Sequence, residues 1–413
     1  MTSTAQYDQA LDHLNAALSL AEEGDDQDAQ ARVCRLFGRV YELRGEYQLA
    51  LEWIARGLDI LAGRPTPDAV EALVTAGLIH VRKGEYAEAL ARAREGFRLA
   101  EEIGDARVAA RALGLQAIVY SRQGNSTQAL TYAQQSLDRY TRAGNIHGQG
   151  LLHTELGNIF FVRGQWAESL HHRRQASEIF DQIGDKYYYA FASNNLGTLS
   201  RHQGRLDEAL DSFQQGLHSL QQIGGSPYVI GVFQMNLGST YIRMGQGEAA
   251  LHHLRASRDL FARAEARDFL PELCYLSAEA ALLVGNLVAA TVDVEAALNL
   301  ARELSQRSEE GNSLRVLGQL AIAQGDAESA ERHLIESAEI LHALDERYDE
   351  GRSDLWLARV FLSLGKTEQA HGALEQAIAI FEPLGAALDL KAARSLRDEL
   401  HELTALPATA PPA

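Results

Sequence analysis

Four asparagines are the residues of this 413-residue chain best suited to recognition chemistry, and they recur about forty residues apart: Asn158, the pair Asn194 and Asn195, and Asn236. All lie in stretches rich in good helix formers, where Asn is a mediocre choice because its side chain competes for the backbone. An amide offers donors and an acceptor together, which suits gripping the main chain of an extended peptide. Phe161, Phe191 and Met235 stand nearby as apolar anchors, the combination by which peptide-binding surfaces gain affinity and register. Catalytic patterns do not occur. Gly365-Lys366-Thr367 ends like a phosphate loop, but Val360 stands where the pattern needs a glycine. His171-His172 and His252-His253 are adjacent pairs, and neighbours on a helix diverge by about 100° and cannot share one metal. With no His-Glu-x-x-His, paired-Cys or nucleophile-elbow arrangement, the expectation is a binding protein, not an enzyme, with no metal or cofactor.

The elements that must carry these side chains follow from a period. Gly45, Gly84, Gly124, Gly164, Gly204, Gly245, Gly285, Gly325 and Gly365 are separated by steps of 39 to 41 residues. Such a repeat marks an array whose units stack to bury their apolar faces. With the recurrent glycine as position 15, position 8 is always Gly or Ala, and position 20 is Ala throughout except for Ser169. Small residues on both arms let two helices approach closely, and the glycine supplies the left-handed geometry that ends the first helix. Each unit therefore reads as an αα-hairpin. Rings recur at position 11 (Tyr41, Tyr120, Phe160, Tyr241, Phe361) and position 17 (Tyr47, Tyr86, Trp166), where neighbouring hairpins must pack.

Composition agrees. Ala, Leu, Glu, Gln and Arg dominate and there are 8 prolines, so the chain reads as all-α. A net charge of −18 argues against nucleic acid or an anionic membrane as partner. Cys34 and Cys274 lie six repeats apart, too far to bridge in a stack, and read as small core residues of a reducing, cytoplasmic protein.

Leu156-Gly157 with Phe160, followed by Gly164-Gln165-Trp166-Ala167-Glu168-Ser169-Leu170, resembles the tetratricopeptide signature of Leu-Gly, an aromatic, Gly, an aromatic and Ala-Leu. Leu196-Gly197 through Gly204 to Ala209-Leu210 is a second copy. These units exceed the standard 34 residues by about six and close on Gly104-Asp105, Gly144-Asn145 and Gly184-Asp185. That longer form is similar to the repeats of Pins-type polarity adaptors, kinesin light chains, pheromone-binding bacterial regulators and the sensor arms of large bacterial transcription factors. The resemblance implies a right-handed α-solenoid of about nine units over residues 30–385, forming a single domain over 1–404. Residues 5–23 match only the second helix of a unit, residues 387–404 read as a capping helix, and 405–413, with Pro407, Pro411 and Pro412, as a disordered tail.

The family also implies which side chains face inward. In tetratricopeptide arrays positions 2, 5, 6, 9, 12 and 13 of the first helix point into the concave groove. Here they hold eleven arginines (Arg32, Arg35, Arg39, Arg82, Arg111, Arg122, Arg201, Arg243, Arg315, Arg352 and Arg359) against five acids (Glu42, Glu71, Glu155, Glu272 and Glu279). Either this excess favours an acidic partner, or some arginines pair with acids on the second helices. Asn158 and Asn195 match the two asparagines that clamp a terminal carboxylate in chaperone-binding relatives, but Thr154, Val232 and Asn236 stand where the clamping cations belong, so capture of peptide backbone is what the resemblance leaves. Tyr275, Leu276, Leu282, Leu283 and Ile322 make a later stretch of wall apolar, open to a partner helix, the chain's own cap or a second copy. Three functions fit: an adaptor that binds an acidic or amphipathic peptide or protein segment, the sensor arm of a larger bacterial regulator, and a scaffold that self-assembles through its terminal helices.

Overall fold

The computed structural model describes residues 3–44, 46–83, 85–123, 125–225, 227–264, 266–267, 269–304 and 306–405. Among them the only regular elements are helices. Helix α1 (Ser3–Glu23) precedes nine hairpins: α2 (Gln27–Arg44) with α3 (Tyr47–Leu61), α4 (Pro67–Arg82) with α5 (Tyr86–Ile103), α6 (Ala106–Arg122) with α7 (Ser126–Arg142), α8 (Ile146–Val162) with α9 (Trp166–Gln182), α10 (Lys186–His202) with α11 (Leu206–Ile223), α12 (Pro227–Arg243) with α13 (Gly247–Arg263), α14 (Leu270–Leu283) with α15 (Leu287–Glu303), α16 (Arg307–Gln324) with α17 (Ala327–Ala343), and α18 (Arg347–Ser363) with α19 (Thr367–Leu384). Helix α20 (Ala387–Ala405) follows. The fold is an all-α solenoid. The expected tail lies outside the described residues except for Ala405, the last residue of α20.

Local chemistry explains the boundaries. Gly164, Gly204, Gly245, Gly285, Gly325 and Gly365 all have φ between +70° and +82°, the left-handed conformation that an L side chain resists. Gly45, Gly84 and Gly124 lie outside the described residues. Between hairpins a left-handed glycine is followed by an Asx cap: Gly104 precedes Asp105, whose carboxylate accepts from the Arg107 and Val108 amides, and Gly144 precedes Asn145, which accepts from the Gly148 amide. Two orphaned helix ends are satisfied by two adjacent residues.

Packing explains the small positions. All nine residues at position 20 are fully buried at 0% exposure. A Cβ added at Gly38, Gly197 or Gly318 would come within 2.5–2.7 Å of Ile54, Phe213 or Leu334, the residue sixteen places later on the facing helix. Two further small positions escape the sequence reading. At position 1, Gly150, Gly231 and Gly351 receive the rings of Phe180, Phe261 and Phe381, each thirty residues later. At position 27, Ser136, Ser257 and Ser337 donate to the carbonyls of Ala110, Gly231 and Gly311.

The described residues form two compact units, Met1–Arg163 with Ala167–Ala192, and Gly164–Trp166 with Ser193–Ala413. In the first, α1 lies on α2, and Leu11, Leu14 and Leu18 join Phe37 and Trp53 in one cluster. In the second, the corner between α19 and α20 returns to the unit's beginning. Leu384 sits against Gly164, Leu388 against Gly204, and Tyr348 against Trp166 and His202.

Candidate ligand groove

In the first unit the inward arginines are matched by carboxylates. Arg32 and Arg35 reach Asp68 at 3.0 and 3.6 Å, Arg39 pairs with Glu42, and Arg107 and Arg111 hold Glu71 at 3.0 and 2.8 Å. These acids stand on first helices, not on the second helices. A hairpin places successive first helices side by side, so residues 36 to 40 apart become neighbours. The side chain of Arg82 lies outside the described residues. Burial pushes the Glu155 carboxyl up to about 7, against the pull of Arg122 and hydrogen bonds from Ser121 and Asn158. Asn158 also faces Arg173 at 3.5 Å, and that buried guanidinium lies 4.9 Å from the Phe161 ring. Arg173 enters the space against Gly157 that Ile54 or Phe213 fills in other repeats. Phe191 packs against Tyr187, with centroids 4.9 Å apart.

In the second unit Asn194 and Asn236 meet: the Asn236 Nδ2 donates to Asn194 Oδ1 at 2.8 Å, and Arg201 Nη1 donates to Asn236 Oδ1 at 3.3 Å. Asn195, half-buried, lies beside them on α10. The amides thus hold each other and a guanidinium, and Asn236 is 7% exposed. Arg243 donates to Asp389 on α20 at 2.7 Å, and the same carboxylate accepts from Tyr348 Oη at 2.9 Å. No sequence signal pointed to Asp389, because its partner lies 146 residues away.

A cavity of about 460 Å³ opens among α12, α14, α16, α18 and α20. That volume falls in the range of small-ligand sites. Its lining comes from first helices and the closing helix. Ile242, Leu282, Leu283, Ile322 and Leu355 form the apolar wall; Arg243, Arg352 and Arg359 are its guanidinium groups. Tyr275 and Leu276, expected on the same wall, are instead buried in the core at 7% and 5% exposure. The chain's own α20 supplies Leu388 and Ala392 to one side. In the cavity's lining, Glu279 takes Arg315 at 2.6 Å and Arg352 at 3.3 Å. Burial would raise the Glu279 carboxyl, but these two cations hold it at about 2. Toward the helix N-termini, burial and the nearby Glu272, Asp349 and Glu346 push the Glu309 carboxyl well above the carboxylate range. No described helix is long and apolar enough to cross a membrane.

Stacked αα-hairpins define a helical-repeat solenoid. The model of the MalT-like TPR region matches residues 110–303, and tetratricopeptide-repeat models match 3–62, 68–142 and 312–334. The chain belongs to the tetratricopeptide-repeat family. No curated protein matches it significantly. Among solved structures, a Rap protein complexed with competence and sporulation factor aligns with a TM-score of 0.56 at 13% identity, over 82% of this chain and 99% of that one. The apo form of the quorum sensor NprR from B. thuringiensis aligns at 0.56 and 14%, over 91% and 99%. A signal transduction ATPase with numerous domains and a tetratricopeptide-repeat sensor, from Pyrococcus horikoshii, aligns at 0.56 and 14%, over 90% of this chain and 55% of that one.

Proposed function

We propose that this chain is a non-enzymatic peptide-binding protein whose inner helices capture an amphipathic segment. One observation carries the reading: the cavity of about 460 Å³ in the second unit, with an apolar wall on α14 and α16 facing guanidinium groups on α12 and α18. Such a site grips a side chain by burial and a polar group by charge. The solved Rap complex with competence and sporulation factor supports it by analogy of fold. In the second unit the amides Asn194, Asn195 and Asn236 are proposed to take the ligand's backbone, exchanging the bonds that Asn194 and Asn236 now make with each other and with Arg201; Asn158 is proposed as a separate contact within the first unit. Arg201 and Arg243, each already bonded, would shape the rest of that wall; Arg32, Arg35 and Arg39, likewise bonded, and the rings Phe161 and Phe191 are proposed for the first unit's own inner face. An array of acidic, amphipathic and basic peptides probed with the full chain tests this. Peptides recovered by the wild type should be lost, by roughly tenfold or more, from a variant with Asn158, Asn195 and Asn236 changed to Ala; undiminished recovery overturns the role of the amides.

A second reading, the sensor arm of a larger regulator, is favoured by the match of residues 110–303 to the MalT-like TPR region. On that reading the bound peptide changes the activity of an effector domain, and an effector supplied separately would respond to peptide only when this chain is present.

A further inference from the structure

Helix α20 begins away from the hairpin it follows. Its first turn reaches the opposite end of the second unit, where Leu388 lies against the Gly204 turn and Asp389 accepts from Arg243, 146 residues earlier, at 2.7 Å. The two ends of this helix are held differently. Toward its C-terminus Ala393 and Leu400 are 0% and 3% exposed, and Arg394 and Arg397 reach Glu382 and Glu375 on α19 at 2.6 and 3.5 Å. In the first turn Ala387 and Leu388 are exposed and only Asp389 is buried, at 4%. A carboxylate, not apolar area, therefore fixes the turn. Just before it stands Gly385, with φ +68° and nothing within 4 Å of where a Cβ would lie, a left-handed joint with room to move.

We infer that the first turn of α20 is a lid on the cavity of the second unit, latched by Asp389 on Arg243 and Tyr348, and that a peptide gains the cavity by displacing it. This rests on the peptide-binding reading above and names how that site is regulated. Three observations converge on a lid. The turn and the residue just after it line the cavity themselves: Leu388, Asp389 and Ala392 share its wall with Leu282, Leu283 and Ile322. The latch sets position at little net gain, because attraction within a buried ion pair roughly offsets the water it loses, and the Arg243 side chain, 16% exposed, has a short route back to solvent. The latch is also incomplete. Arg243 Nε is buried with no hydrogen-bond partner among the described residues, and opening relieves that donor. The other half of the latch is the Tyr348 hydroxyl, which donates to Asp389 at 2.9 Å; burial pushes this phenol up to about 12, so it stays a donor at neutral pH. A helix start held in this way belongs to the low-stability end of a fold, from which moving elements are drawn.

Hydrogen exchange on the full chain, with titration by the uncharged naphthalene dye prodan, tests this. The amides of residues 390–393 bond back to the first turn and report its opening. In Y348F, which removes one latch bond and leaves α20 itself unchanged, they should exchange about 3- to 10-fold faster, and in D389N about 10- to 100-fold faster, the factors that a neutral and a charge-assisted hydrogen bond supply. Residues 397–402 should keep wild-type rates. Prodan should bind both variants more tightly than the wild type by similar factors, and the melting curves should match the wild type. Because Asp389 also favours the helix start through its charge, Y348F is the deciding variant. Unchanged exchange at 390–393 in Y348F, or unchanged dye affinity, overturns the inference. So does a variant that melts well below the wild type with protection lost across α12 and α18, since the contact would then be a structural staple. A peptide from the array that binds wild type and Y348F alike overturns the lid and leaves peptide binding intact; a blank array removes the functional reading, while exchange and dye still decide whether the turn opens.

Discussion

Glu279 is the carboxylate on which the interior of the second unit turns, and its removal should be the most damaging single polar change there. Its side chain is 6% exposed and holds Arg315, whose side chain is 0% exposed, and Arg352, 17% exposed. Replacing Glu279 by Ala leaves Arg315 with neutral amide acceptors alone, Asn312 at 3.1 Å and Gln319 at 3.2 Å. Breaking a buried pair in this way costs about 3–5 kcal/mol, because the surviving charge has no route back to water. Titration leads to a similar figure. The carboxyl is held at about 2, against an ordinary value of 4.5, and a difference of that size corresponds to about 3 kcal/mol. Because the folded-state pKa is depressed, this stabilisation is complete above pH 4.5 and drains away as the pH falls toward 2. Urea unfolding at pH 7 followed by circular dichroism, with hydrogen exchange on α14, α16 and α18 to catch local opening, measures the effect. An array opens by neighbouring repeats, so exchange should accelerate in these three helices before the rest. The pair E279L with R315M, which removes both charges, should recover most of the loss. A loss below about 1 kcal/mol in Glu279→Ala, or a double variant no better than the single one, would refute the account of Glu279 as the counter-charge that permits a fully buried arginine.

Other expectations follow from the same structure. Gly204→Ala should cost more than Gly285→Ala. Both positions have a left-handed φ, +79° and +74°, but a Cβ at 204 would sit 2.9 Å from Leu388 whereas at 285 nothing lies within 4 Å. Strain alone costs about 1 kcal/mol, so equal thermal midpoints for the two variants would show that α20 does not seat on that turn. Glu309→Gln should stabilise the protein above pH 7. The Glu309 carboxyl is pushed up by burial and by Glu272, Asp349 and Glu346, so the stability it contributes is present below pH 4.5 and is lost as the pH rises. Melting curves taken from about pH 5 to 9 should fall with pH in the wild type and flatten in the variant; a variant melting lower at high pH would contradict the assignment.

What the sequence by itself determined is the unit. A glycine every forty residues, small residues seven places before it and five after, and Gly-Asp or Gly-Asn between units are local signals. They act through φ, helix propensity and the contact of two adjacent helices, all within one hairpin. The period therefore read correctly, and so did the all-α solenoid and the family. Positions 1 and 27 were equally legible, since Gly150, Gly231 and Gly351 and Ser136, Ser257 and Ser337 recur at the same spacing, but their significance needed the rings and carbonyls they meet. Which partner each inward side chain finds was decided only by the tertiary structure. Arg243 and Arg359 look alike in sequence, yet one is paired with Asp389, 146 residues away, and the other lies over Trp356 with Glu399 as its nearby acid but, among the described residues, no carboxylate within ion-pair distance. A hairpin's residues dictate its own geometry, but the small rotation between one hairpin and the next accumulates, and that winding alone decides which distant carboxylate reaches a given guanidinium.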